Sequence, residues 1–156
     1  MTGASQEEAF ERAVKFLSYR ARSEAEVRRK LAQLGFSRDT AEGAVKKLVS
    51  LKLLNDGNFT RAWTVSRVEG RGYGPLRVER ELRQKGIAKS LIAQILDETF
   101  GKKQGKERAK QLLEKRFRGQ DLTDAKVFRR AVAFLQRRGY RDSVIAEIVK
   151  RPLEDN

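Results

Sequence analysis

The chain has 156 residues, of which 35 are lysine or arginine and 21 are aspartate or glutamate, and its net charge is +14 at pH 7. It contains no cysteine and no histidine, which excludes disulfides, thiolate nucleophiles, and the commonest metal ligand and general base of enzymes. The length suits one compact domain or a row of small units, and the excess of positive charge predicts a polyanionic partner.

The hydropathy pattern indicates helices throughout and no membrane span. No apolar run approaches the roughly 20 residues that a membrane-spanning helix needs, and the N-terminus leads into an acidic helix start rather than a signal peptide. We therefore expect a soluble, cytoplasmic protein. Only two prolines are present, Pro75 and Pro152, and apolar residues recur at spacings of three and four from end to end. This pattern predicts an all-α fold.

The first third of the chain predicts three helices. Ser23 with Glu26 three residues later has the spacing of a capping box, so the second helix begins there, and Gly35 ends it. Ser37 can cap the third helix. The positions expected to face the core are Ala9, Phe10, Ala13, Val14 and Leu17 in the first helix, Val27 and Leu31 in the second, and Ala41, Ala44, Val45 and Leu48 in the third.

The same pattern recurs twice further along the chain. A shift of 51 residues places Val27, Leu31 and Gly35 on Val78, Leu82 and Gly86, and it places the helix start at Ser23 on Gly74-Pro75. A further shift of 53 residues reaches Leu135 and Gly139, where the middle helix is predicted to begin earlier, at Thr123 or Asp124.

This periodicity predicts three tandem three-helix repeats in an elongated, curved arrangement. We expect the repeats to span residues 7–54, 55–100 and 104–151. Short joints at 55–58 and 101–105 separate them, because Asn, Asp and Gly are concentrated in the first and two glycines flank the second.

Positive charge is concentrated in the second and third repeats. The net charge is +3 over residues 1–60, +5 over 61–89, +6 over 101–118 and +6 over 126–151. A solvated surface explains any one such segment, but three segments of the same sign favour an anion-binding surface.

The segment Arg71–Pro75 is the most unusual local feature, and it has two interpretations. As a helix start, it can offer free amides to a phosphate while Tyr73 stacks on a base. Alternatively, it is a tight turn in which the glycines adopt unusual dihedrals and Tyr73 fills the core. It lacks the Gly-Lys-Ser/Thr ending of a P-loop, so nothing predicts nucleotide hydrolysis. Trp63 is predicted to lie in the core beside Phe59.

No pattern of residues predicts catalysis, a metal site or a cofactor. The carboxylates are scattered and stand at helical spacing from basic residues, as in Glu79 with Arg83 and Glu24 with Arg28. Glu79, Glu81 and Asp97 could form a metal site only if folding brought them together. We therefore expect a protein that is not an enzyme.

Several motifs together resemble the bacterial RecX family of RecA regulatory proteins. They are the run Leu17–Leu31 with Gly35-Phe36, then Leu54–Phe59 with Trp63 and Arg67, then Arg71–Pro75, Glu81-Leu82 and Lys85–Ile87. The resemblance covers about residues 10–150 and implies three tandem three-helix repeats. Thr60 and Leu53 depart from it, since an alanine and an aromatic residue are usual there.

The resemblance also implies a function in DNA recombination, repair and the SOS response. Members of the family bind the RecA filament on single-stranded DNA and usually inhibit strand exchange and the coprotease activity, and some bind DNA themselves. On this hypothesis, the chain is a monomer that lies in the filament groove and contacts single-stranded DNA, with contact to double-stranded DNA left open. The expected contacts are Arg67, Arg71, Tyr73, Arg77, Arg80 and Arg83, flanked by Lys102, Lys103, Arg129, Arg130, Arg137 and Arg138.

Two other functions remain open at this point. One is a stand-alone nucleic-acid-binding protein of helix-turn-helix-like repeats, although asparagine and glutamine are too sparse on the helices to read base edges well. The other is a structural helical adaptor, which would bind neither DNA nor a recombinase.

Overall fold

The computed structural model describes residues 2–101 and 103–150, and within these ranges the chain is helical, with nine helices and no strand. The prediction of an all-α fold is confirmed. The helices are α1 (Thr2–Tyr19), α2 (Glu24–Gln33), α3 (Arg38–Ser50), α4 (Asp56–Arg71), α5 (Pro75–Gln84), α6 (Lys89–Phe100), α7 (Lys103–Arg116), α8 (Ala125–Arg138) and α9 (Asp142–Ile148).

The predicted helix boundaries of the first repeat are confirmed in atomic detail. The Ser23 hydroxyl accepts a hydrogen bond from the Glu26 amide, and the Glu26 carboxylate accepts one from the Ser23 amide, so the capping box is complete. Gly35 follows α2 with a φ of +91°, a conformation that costs glycine little. The Ser37 hydroxyl caps α3 by accepting from the Thr40 amide.

The later boundaries follow the predicted signals with one exception. Helix α5 begins at Pro75, and Asp124 caps α8 by accepting from the amides of the next turn. The predicted joint at 101–105 is shorter than expected, because Gly105 lies buried inside α7. A side chain there would overlap the carbonyl of Phe100, so glycine at this position permits close packing.

The first three helices pack on one another around a small apolar core. Leu31 and Leu48 are fully buried, as the pattern predicts, and Ala9 and Ala13 are the fully buried positions of α1. The prediction for Val14 is wrong, since it is 39% exposed. Successive residues are about 100° apart around a helix, so the burial of Ala13 turns its neighbour toward solvent.

Helices α7, α8 and α9 pack on one another around a second core that is rich in aromatic rings. Phe117 and Phe134 meet edge to face with ring centroids 5.8 Å apart, and Tyr140 meets Phe100 in the same way at 6.1 Å. Leu135 of the same cluster is fully buried.

The chain forms two compact units. Unit 1 comprises the chain up to Ala62 together with Leu82–Leu91, and unit 2 comprises Trp63–Glu81 together with the chain from Ile92 onward. These units are defined by which residues lie together in space, and each contains parts of more than one predicted repeat. The boundaries of the three sequence repeats therefore stay a prediction.

Within unit 1, the start of α2 docks on the residues that end α5. The Ser23 hydroxyl, besides capping α2, donates to the carbonyl of Lys85 at 2.6 Å, and the Arg29 guanidinium donates to the carbonyl of Gln84 at 2.9 Å. Gly86 lies so close to Ala25 that a side chain on it would overlap the Ala25 methyl group. This close approach requires glycine.

Within unit 2, the start of α5 docks on the end of α8 in the same way. The amides of Gly74 and Leu76 donate to the carbonyls of Arg138 and Gly139 at 2.6 and 2.9 Å. Gly139 has a φ of +97°, and a side chain there would overlap the backbone of Arg77. The repeated sequence pattern of middle-helix starts and glycine stops therefore corresponds to a repeated docking contact.

Candidate polyanion-binding surface

The turn at Arg71–Pro75 fits the second of its two interpretations. Tyr73 is 6% exposed, Gly72 has a φ of +67°, and the amides of Gly74 and Leu76 already donate to carbonyl groups of α8. Helix α5 therefore has no free amide at these two positions for a phosphate. Tyr73, Gly72 and Gly74 instead form part of the contact between the start of α5 and the end of α8.

Two predicted contact arginines of this region take part in internal interactions. The Arg77 guanidinium lies 4.0 Å from the centre of the Tyr73 ring and donates to the carbonyl of Arg137 at 3.2 Å. Arg77 thereby fixes the turn onto the end of α8.

Arg67 belongs to a cluster with Trp63 and Glu81. Its Nε lies 3.0 Å from Glu81 Oε2, and its guanidinium covers the indole ring of Trp63 at 4.3 Å. The indole Nε1 donates to the same carboxylate at 2.9 Å. Trp63 is half-buried, so the prediction that it lies in the core is only partly correct.

Five cations line a groove of about 730 Å³ on α7, α8 and the segment that joins them. We call it the α8 groove. Its floor includes the Phe117 and Phe134 rings, and no carboxylate is among its lining residues. Its cations are Arg116, Lys126, Arg129, Arg130 and Arg137.

A second groove of about 540 Å³ lies beside it and is called here the α4–α7 groove. It shares Arg116 and Phe134 with the α8 groove, so the two adjoin. Glu69 is its one acidic lining residue, and it is paired with Arg108 at 2.8 Å. Its cations are Arg71, Arg108, Lys115, Arg116 and Arg138.

Together the two grooves form a basic surface with nine cations and one carboxylate among their described lining residues. Two of these cations lie over aromatic rings. The Arg138 guanidinium is 5.1 Å from the centre of the Phe134 ring, and the Arg116 guanidinium is 6.0 Å from the centre of the Phe117 ring. Such a surface attracts phosphate or carboxylate polyanions, because a bound anion reduces the repulsion between the neighbouring positive charges.

The structure brings together five of the predicted contact residues on this surface: Arg71, Arg129, Arg130, Arg137 and Arg138. Arg67, Tyr73, Arg77, Arg80, Arg83 and Lys103 are not among the groove-lining residues, and Lys102 lies outside the described residues. That these residues contact a partner stays a prediction.

The basic charge of residues 101–118 was part of the prediction, but three cations of α7 that line the grooves were not among the predicted contacts. Arg108, Lys115 and Arg116 stand at spacings of seven and eight residues, which places them on one face of that helix. Applying the helical period to this part of the sequence could have identified these three residues as one face. Lys126 was missed because only folding places the start of α8 beside Arg116.

The ring of Tyr140 lines the α4–α7 groove from the core side. Burial raises the pKa of Tyr140 to about 12, with Arg108 acting against the rise and Glu69 adding to it. The phenol therefore stays protonated at neutral pH.

No group of three carboxylates in the described ranges could hold a metal ion. In the same part of the chain, none of the helices combines the length and the apolar character that crossing a membrane requires.

The fold and this surface define an all-helical protein built from three-helix domains with an extended basic face. Three family models match the chain in order: the first RecX three-helix domain at residues 9–48, the second at 55–96 and the third at 104–149. The chain belongs to the RecX family of regulatory proteins.

Individual relatives agree with this assignment. The regulatory protein RecX of Trichlorobacter lovleyi is 32% identical over 154 residues, which cover 97% of this chain and all of that protein. The regulatory protein RecX of Mycobacterium ulcerans is 34% identical over 148 residues, covering 92% of this chain and 84% of its own length.

Solved structures are similar over nearly the whole chain. A crystal structure of a regulatory protein RecX matches with a TM-score of 0.77 and 28% identity over 96% of this chain and 73% of its own. RecX from Lactobacillus salivarius matches with a TM-score of 0.81 over 94% and 96% of the two chains, and at 23% identity it supports the fold alone.

Proposed function

We propose that this chain binds the filament that the RecA recombinase forms on single-stranded DNA and lowers its strand-exchange and coprotease activities. The observation that carries the proposal is the basic surface of unit 2, where nine cations stand against one carboxylate that is already paired. Membership of a family of regulatory proteins supports it.

The proposed mechanism is occupancy, with no bond made or broken. Phosphates of the DNA, or carboxylates of the recombinase, lie along the two adjoining grooves and neutralise their cations. Binding then changes filament growth or conformation to the extent that the chain prefers one state of the filament over another.

Within this proposal, the groove arginines contact the partner directly. They are Arg71, Arg129, Arg130, Arg137 and Arg138, joined by Arg108, Lys115, Arg116 and Lys126. Arg77 and Tyr73 act as positioning residues, since Arg77 covers the Tyr73 ring and donates to the Arg137 carbonyl. Arg67, Arg80, Arg83, Lys102 and Lys103 are proposed as additional long-range charge. The chain acts as a cytoplasmic monomer of three repeats.

The test is a titration of RecA strand exchange with the Arg116→Glu, Arg137→Glu double variant. Both side chains are exposed, so the substitution leaves the core intact. Inhibition should require at least about tenfold more variant than native protein, because each reversal replaces an attraction with a repulsion. The matched control is Lys110→Glu with Arg141→Glu, which changes the net charge equally at exposed positions of unit 2 outside both grooves.

Equal loss of inhibition in both double variants would show that only the net charge of the chain matters. This result would contradict the proposal that the two grooves are the binding site. Full inhibition by the groove variant would contradict it as well. Tight binding to bare DNA with no effect on the recombinase would favour the stand-alone nucleic-acid-binding protein instead.

A further inference from the structure

A third groove, in unit 1, plays no part in the proposed function. It has a volume of about 360 Å³ and is lined by four cations and two aromatic rings from α1, α2 and the turn between them. These are Arg12, Lys15, Phe16, Tyr19, Arg22 and Lys30. The first four stand at spacings of three, four and seven residues and so share one face of α1. No carboxylate is among the lining residues.

Two of the cations are held over one aromatic ring. The Arg22 guanidinium lies 3.9 Å from the centre of the Phe16 ring, and the Lys30 ammonium lies 5.6 Å from it. The Nε atom of Arg22 is out of contact with solvent and has no hydrogen-bond partner among the described residues. Burial lowers the pKa of the Arg22 guanidinium, and the charge of Arg20 lowers it further. An anion bound in the groove would favour the charged guanidinium and so oppose this lowering of the pKa.

Glu26, whose charge acts on Arg22, is already occupied by other partners. Glu26 accepts from Arg20 at 2.7 Å and from the Ser23 amide at 3.1 Å, and it lies 3.3 Å from the Lys85 ammonium. None of the four groove cations makes an ion pair with a carboxylate in the described part of the chain. The groove therefore keeps its positive charge.

The rim of the groove offers aromatic and apolar surface to solvent. Tyr19 is 73% exposed, and Leu34, which also lines the groove, is 41% exposed. An exposed flat ring beside clustered cations matches the alternating bases and phosphates of a single strand, because every base has a face that stacks on an aromatic side chain. The carboxylates of an acidic peptide would neutralise the cations but would not stack on Tyr19, whereas every nucleotide brings a phosphate and a base together.

We propose that this unit 1 groove binds a short stretch of single-stranded nucleic acid, with phosphates at Arg12, Lys15, Arg22 and Lys30 and a base stacked on Tyr19. The site is separate from the grooves of unit 2, since it shares no lining residue with them. It does not depend on the proposed action on the recombinase.

The first test is photocrosslinking of the full chain to an oligothymidylate that carries 5-iodouracil. The chain also carries Arg116→Glu and Arg137→Glu, so that binding in unit 2 is weakened. We expect the base adduct on Tyr19, mapped by mass spectrometry. Adducts confined to other residues would overturn the proposal. Because no recombinase is present, this result is independent of the proposed function.

The second test is the salt dependence of oligothymidylate binding, measured by fluorescence anisotropy in the same background. Arg12→Gln with Lys15→Gln should reduce the log–log slope by about 1.4, since each phosphate contact on a single strand contributes about 0.7. Arg38→Gln with Lys46→Gln is the matched control, as both are exposed in unit 1 outside the groove.

An equal change in the control variant would contradict the proposal. Stronger competition by polyglutamate than by unlabelled oligothymidylate at equal charge would also contradict it and would assign the groove to an acidic protein partner.

Discussion

The backbone amide of Gly74 donates a hydrogen bond of 2.6 Å to the carbonyl of Arg138. This bond joins the residue just before α5 to the last residue of α8, and the ends of a helix leave backbone groups without an internal partner. The partial positive charge at the start of α5 thus meets the partial negative charge at the end of α8. In unit 1, Ser23 reaches the Lys85 carbonyl at the corresponding position of the repeat.

Gly139→Ala should be strongly destabilising. The residue combines a φ of +97° with direct contact to the backbone of Arg77. We expect the free energy of unfolding to fall by about 2–4 kcal/mol, the sum of a left-handed backbone cost and overpacking. Urea unfolding of the full chain, followed by circular dichroism, measures the change.

Gly35→Ala is the matched control for that substitution. Gly35 holds the equivalent position of the first repeat with a φ of +91°, but a side chain there would meet nothing within 4 Å. Its cost should be only about 1–2 kcal/mol, from the backbone alone. Equal losses for the two variants would show that the docking contact does not require glycine.

Ser23→Ala should be more costly than Ser37→Ala, although both serines cap helices. Ser23 is fully buried and also satisfies the Lys85 carbonyl, whereas Ser37 is exposed and caps α3 only locally. Because Ser23→Ala removes both the cap and the partner of the carbonyl, we expect it to lower the free energy of unfolding by about 2–3 kcal/mol. Loss of a cap predicts about 1 kcal/mol for Ser37→Ala. Thermal or urea unfolding of the two variants decides the order, and a reversed order would refute the role of Ser23 in docking.

Stability should decline at alkaline pH because of Tyr140. Its ordinary pKa is 10.0, and burial raises it to about 12 in the folded chain. The stabilisation is complete below the unfolded pKa and is lost as pH rises toward the folded one, by about 2–3 kcal/mol in all. Tyr140→Phe should lack this part of the pH dependence in urea unfolding, and identical pH profiles for the two proteins would contradict the assignment.

Direct DNA binding should depend on the arginines of α8. Arg129→Gln with Arg130→Gln should reduce the log–log salt slope for single-stranded DNA by about 1.4, because each lost phosphate contact removes about 0.7. The measurement is fluorescence anisotropy at several salt concentrations. The control, Lys110→Gln with Arg141→Gln, should leave the slope unchanged, and a change of the same size there would argue against specific contacts.

Local features of this chain were predictable because their causes lie within a few residues. The capping box at Ser23, the start of α5 at Pro75 and the left-handed Gly139 all follow from backbone chemistry that a short segment determines. The repeat spacing located the equivalent positions. The start of α8 was predicted one turn before the place that the repeat spacing gives, at Thr123 or Asp124, and Asp124 is the residue that caps it.

Contacts between distant segments were not predictable from these patterns. The residues around Gly74 fitted either free amides or a tight turn, and the choice depended on Arg138, which lies 64 positions later in the chain and accepts the hydrogen bond of the Gly74 amide. Similarly, the modest net charge of the first 60 residues concealed the four cations of the unit 1 groove, because that sum also counts carboxylates that are not among the groove's lining residues. Net charge averages over faces that the folded chain keeps apart.

The most direct test of the central claim is co-sedimentation with RecA filaments assembled on single-stranded DNA. The native chain should sediment with the filament more strongly than with either DNA or recombinase alone. The Arg116→Glu, Arg137→Glu variant should sediment with the filament no more strongly than with bare DNA, while the Lys110→Glu, Arg141→Glu control should sediment as the native chain does. Sedimentation of the native chain with bare DNA that equals its sedimentation with the filament, or undiminished sedimentation of the groove variant with the filament, would contradict the claim that the basic surface of unit 2 recognises the filament.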